Sequence, residues 1–159
     1  MSPEPQLTPP DPSEPHPLDL VREQAAHTTV SAVRAELDAL SEQHAELSRS
    51  VGWAANAEEE YREVIGIERK AQLEMRVGLG AEGAKFVRRT APLAEMSLPE
   101  LQEEYRTGRR TTLALIDALL LHPESRAWTL GEEVAPEIYI VSLRNRLKRW
   151  GEGLAEVRA

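Results

Sequence analysis

Cysteine is absent from the chain, which at once excludes disulfide scaffolds, thiolate zinc sites and cysteine nucleophiles. The redox compartment stays open, because a cysteine-free chain tolerates either. Aromatic residues are scarce: three Trp, three Tyr and one Phe. A core must therefore come from Leu, Val, Ile and Ala, a composition that suits helices. No apolar run approaches the roughly 18 residues of a transmembrane helix. The first residues, MSPEPQLTPPDPSEPHP, have neither the basic start nor the apolar stretch of a signal peptide. These absences predict a cytoplasmic protein with no membrane partner. A basic excess is missing too. The formal net charge is −8, so phosphate attraction is weak and no nucleic-acid partner is expected. Basic clusters at Arg88 and Arg89, at Arg106, Arg109 and Arg110, and from Arg144 to Arg149 lie beside acids and read as solvated helix faces.

What is present fits one ordinary domain: 159 residues, 41% hydrophobic and 29% charged. Seven of the eleven prolines fall in residues 1–17, with Glu4, Asp11 and Glu14 and no Lys or Arg. Such a segment holds neither helix nor ladder, and reads as a disordered, partly polyproline tail. The domain is expected over 18–159.

Beyond Pro17, Ala26, Val30, Val33, Leu37, Leu40, His44, Leu47 and Val51 recur at alternating steps of four and three, one helix face. A first helix is expected from about Leu18 to at least Leu40, with Ser41 to Ser50 either continuing it or starting afresh. Gly52 marks a junction, and a second helix follows from about Ala54 to Val77. The stretch GLGAEGAKF supplies three glycines, a loop or a weak helix end. Its formal GxGxxG at positions 78, 80 and 83 follows no strand and is a chance match. Ser97-Leu98-Pro99-Glu100 has the signature of a capped helix start, and that third helix runs to about Leu121. A last helix begins near Gly131 to Pro136, with Ile140, Leu143, Leu147, Trp150 and Leu154 on one face. No sustained period of two appears. The expected architecture is all-α, an up-and-down four-helix bundle with its long connection between the second and third helices.

In this layout the chain resembles the DinB/YfiT-like superfamily over about residues 18–155. The first helix closes in ALSEQHAELSRS, and Trp53 precedes the second. The second carries Glu63-VIGI-Glu68-Arg69-Lys70, similar to the family's His-x4-Glu and basic pair. The third opens SLPELQEEYRTGRRTTLALIDAL, and the last contains IYIVSLRNRLKRW where the family has His-x3-His. The family's metal triad maps onto Glu63, Ser142 and Arg146, so no histidine occupies any of the three positions. Arginine puts a permanent cation where a divalent ion would sit and cannot deprotonate to become a ligand. The expectation is a degenerate metal site without metal or other cofactor. In it Glu63 pairs with Arg146 and Ser142 serves as a neutral partner, each charge offsetting the other's burial.

The resemblance implies relatives that include metal-dependent hydrolases and thiol-cofactor-dependent transferases, several tied to stress responses, and it implies a homodimer. Apolar Leu113, Leu120, Ile138 and Val141, on more than one side of their helices, leave surface for such a contact. With the triad missing, the favoured reading is a module binding a small molecule in the bundle cavity, or a partner. An enzyme with a variant site is the alternative. A second alternative rests on Glu60-x2-Glu63 and Glu100-x2-Glu103, two carboxylate pairs of the kind that hold magnesium in MazG-type nucleotide pyrophosphatases. Of the four histidines, His16 falls in the tail, His27 at the edge of the stripe and His44 on it, and His122 at a helix end before Pro123. No two have the spacing of a helical metal site.

Overall fold

The computed structural model describes residues 16–51 and 57–158, with backbone alone for 47–51 and 154–158. Most of residues 1–17, Gly52, Trp53 and the start of the expected second helix at Ala54 lie outside the described residues. The described residues are mostly helical, with five α-helices and a small hairpin.

His16 is the N-cap of α1 (Pro17–Ala26), rather than part of a tail. Its Nδ1 accepts from the Leu18 N–H at 3.1 Å, and Asp19 accepts from the His16 N–H at 3.1 Å, while Pro17 occupies a position that needs no donor. The expected single helix from Leu18 through Leu40 is broken. His27 caps the C-terminus of α1, and α2 runs over Val30–Val51. Thr29 opens it, with its hydroxyl accepting from the Ala32 N–H at 3.1 Å. The break turns Ala26 and Val30 outward, and the buried stripe starts at Val33, continues through Leu37 and reaches His44. Ser41 lies within α2 and starts no new helix. Its hydroxyl donates back to the Leu37 carbonyl.

α3 (Ala57–Leu79) buries Tyr61, Val64, Ile65, Ala71 and Met75. The expected long connection follows, containing two 3-10 turns, Gly80–Phe86 and Leu93–Glu95. Arginines fasten it. Arg62 donates to the carbonyls of Leu93 and Met96, and Arg88 grips Glu104 with two bonds at 3.2 and 3.0 Å. α4 (Leu98–Leu121) opens with the expected capping box of Ser97 and Glu100, and His122 caps its end. Between α4 and α5 (Pro136–Arg158) lies an antiparallel hairpin, β1 (Ala127–Thr129) and β2 (Glu132–Val134). α3 packs mainly on α4, α2 and α1 on α5, and β1 lies across α3. One core joins them, with Leu101, Leu115, Leu119, Tyr139, Ile140, Leu143 and Leu147 sealed from solvent. Val141 is buried in it, and Leu113, Leu120 and Ile138 are partly buried against it. Among the described residues no helix is long and apolar enough to cross a membrane.

The hairpin's approach to α3 depends on Gly78. A Cβ there would drive into the Arg126 carbonyl oxygen and lie 3.3 Å from the Ala127 Cα, both backbone atoms that cannot rotate away. Glycine to alanine within a helix ordinarily stabilises by up to about 1 kcal/mol. Gly78→Ala is expected to reverse that sign and cost roughly 1–3 kcal/mol, the usual penalty of overpacking. Gly66, with open space around its Cβ position, is expected to show the ordinary gain. Urea unfolding of the two variants beside the parent checks both signs.

Candidate functional site

α5 presents Ser142 and Arg146 one turn apart, as their spacing requires. Ser142 is sealed beneath the hairpin, its Oγ 2.6 Å from Thr129 Oγ1. Arg146 is half-buried and does not pair with Glu63. Both its terminal nitrogens donate to Glu74 Oε1 at 3.0 Å, and Nη2 also reaches the Tyr139 hydroxyl at 3.3 Å. The Tyr139 hydroxyl lies 2.9 Å from the same Glu74 oxygen as its donor. Burial, more than either neighbouring charge, pushes the Tyr139 hydroxyl up, so it stays a protonated donor. Glu74 and Glu63 share a side of α3, about three turns apart. The guanidinium goes to Glu74 for a physical reason. Glu74 is only 16% exposed and less solvated than Glu63, and Tyr139 adds a further bond there. Glu63 is exposed and remains solvated.

Glu63 and Arg146 nevertheless line one cleft of about 330 Å³, together with Glu60 and Ile67 of α3 and Arg149 and Trp150 of α5. Burial first, then Glu63 and Glu59, raises the Glu60 carboxyl above its ordinary range. The Trp150 indole opposes that rise, although its N–H has no well-formed hydrogen bond. Two further clefts adjoin along α5. One is bounded by α1 and the hairpin tip and contains Ser142, the other is bounded by Lys70, Glu74 and Trp128, and Arg146 lines both.

A larger polar feature buries Arg109, which was expected on a solvated helix face. Glu68 stands in the α3 stripe and Arg109 in the α4 stripe, at 2% and 5% exposure. Arg109 Nε donates to Glu68 Oε1 at 2.8 Å, and Thr112 Oγ1 donates to the same oxygen at 2.8 Å. Arg109 Nη1 donates to Ser41 Oγ at 3.0 Å, and Nη2 lies 3.2 Å from His44 Nδ1. Gln72 Nε2 donates to the Gly108 carbonyl and to Thr112 Oγ1. The network ties α2, α3 and α4 through one ion pair. Burial, then the Arg109 charge, lowers His44 to about 3. The ring is thus neutral at ordinary pH, with Nδ1 accepting and the proton assigned to Nε2. Nε2 finds no acceptor among the described residues, and the ring stands edge-on to Trp150 at 4.8 Å. All of its members but Ser41 are buried, and the network ties the three helices together. The signal for it was legible in the two stripes, each interrupted by a charge of opposite sign.

Among the described residues no group of three or more His, Asp or Glu side chains is arranged to hold a metal ion. The two carboxylate pairs do not converge: Glu60 and Glu63 face the α3–α5 cleft, Glu100 caps α4, and Glu103 pairs with Arg106 at 2.6 Å. Compared with protein-family models, curated proteins and solved structures, the chain matches none of them.

Proposed function

We propose that the chain is a four-helix bundle of the DinB/YfiT-like type that has exchanged a metal site for an ion pair and binds a small molecule in the cleft between α3 and α5. The Arg146–Glu74 pair carries this reading. It puts a guanidinium with its own half-buried counter-ion where the family resemblance places a ligand, and a guanidinium never becomes a metal donor. Glu63 and Ser142 leave one carboxylate and one hydroxyl already spent on Thr129. The adjoining cleft has the size of a small-molecule site, which starts at about 300 Å³. Its α3 wall is acidic and its α5 wall carries Arg149 and Trp150, a lining that suits a small zwitterion.

The test uses protein purified without a histidine tag or chelators. Metal per chain is measured by mass spectrometry, before and after incubation with zinc, nickel and manganese. No stoichiometric metal is expected, and one ion per chain sinks the exchange. A thermal-shift series with free amino acids as probes tests the cleft. Stabilisation by at least one, lost in Arg149→Glu, is expected; a flat response across the series sinks the ligand reading.

A further inference from the structure

The hairpin tip holds a residue out of place. β1 and β2 are joined by Leu130-Gly131, both at positive φ, 50° and 82°. Two-residue hairpins favour such a turn, but its first position takes Asn, Asp or Gly. Leucine there strains the backbone, because its Cβ crowds the following carbonyl oxygen. It is also 46% exposed, so the strain is not offset by full burial in the chain's own core. Trp128, two residues earlier, is 50% exposed, and Leu20 of α1 is 55% exposed.

These residues edge a groove. Leu20, Leu130, Lys148, Arg149 and Glu152 line a cleft of about 540 Å³ between α1, the hairpin tip and α5. It adjoins a second, of about 220 Å³, where Trp128 and Lys70 stand and which shares Leu130 and Arg146 with it. Among the described residues the side chains of Lys70, Lys148 and Arg149 have no hydrogen-bond or ion-pair partner, and of the two acids on the groove, Glu152 and Glu74, the second is held by Arg146, so positive charge is in excess there.

We infer that residues 1–15 of the same chain dock in this groove. Pro17 lines it, so the segment starts at the groove's lip and needs no recruitment from solution. The segment carries Glu4, Asp11 and Glu14 and no Lys or Arg, the complement of Lys70, Lys148 and Arg149. Six of its residues are proline. Proline-rich chain is low in entropy and docks on exposed aromatic surface, which Trp128 provides. A polyproline segment of this length would span some 45 Å at about 3.1 Å per residue. Docking would bury Leu130 and Trp128 and give the strained turn its return.

Because the chain has no cysteine, one spin label reports the contact cleanly. In the full chain, Thr8→Cys is labelled and the Trp128 indole and Leu130 amide signals are followed by nuclear magnetic resonance. Loss of most of both signals is expected, restored by raised salt and by Lys148→Glu with Arg149→Glu, both exposed positions. Signals that keep their intensity overturn the docking, as does a loss that the charge reversal leaves unchanged. Isotope-labelled chain without the cysteine, mixed with spin-labelled chain, is expected to lose nothing. Loss confined to that mixture overturns the intramolecular assignment in favour of a second copy.

Discussion

Replacing Arg109 with methionine is expected to cost roughly 3–5 kcal/mol, the range seen when one member of a buried ion pair is removed. The loss is not that of one salt bridge. Glu68 is 2% exposed, and without Arg109 its charge keeps the Thr112 hydroxyl and no cation. Ser41 and His44 lose their donor in the same step. Removing both charges together, Glu68→Leu with Arg109→Met, is expected to recover most of the loss, because apolar groups of similar volume need no desolvated partner. Urea unfolding of the two singles and the double, read as a double-mutant cycle, checks this. A single-variant loss below about 1 kcal/mol would mean that water reaches Glu68 and that the network is not sealed.

The same pair shows what was legible in the sequence. α3 and α4 were readable from their stripes, and the α4 start from Ser97 and Glu100, because those signals are local. Partner choice is not local. Glu63 and Glu74 share a side of α3, and spacing alone does not say which one Arg146 takes; their difference in exposure decides it. The break between α1 and α2 carries no Gly or Pro, and Ala26, Val30 and Val33 keep helical spacing across it, so periodicity runs through a turn that the Thr29 cap creates. The hairpin escaped because its strands are three residues long, too short to show a period of two, and its Leu-Gly turn lacks the usual Asn or Asp. Ser142 and Arg146 lie one turn apart on α5, but their surroundings come from the hairpin and from Glu74, which sequence spacing does not bring together.

Acid is expected to destabilise the fold through His44. The unfolded chain binds a proton there at its ordinary value of 6.5, and the folded chain only at about 3. Between those values the unfolded state holds the extra proton, so this contribution is complete above pH 6.5 and shrinks as pH falls toward 3. The slope approaches about 1.4 kcal/mol per pH unit inside that window. The groups around the ring explain why the proton is refused: Arg109 fills the Nδ1 side, Trp150 packs edge-on, and among the described residues no carboxylate pairs with either ring nitrogen. His44→Asn separates this term from general acid unfolding. The asparagine oxygen stands in for Nδ1 as acceptor to Arg109 but does not titrate. The variant is expected to be less stable at neutral pH, where the smaller side chain leaves a void, and to show a shallower decline between pH 6.5 and 3. Unfolding free energies of both proteins across that range decide it. Parallel declines would mean that His44 takes up its proton in the folded state, which requires an opening between α2 and α5 large enough to admit water beside Trp150.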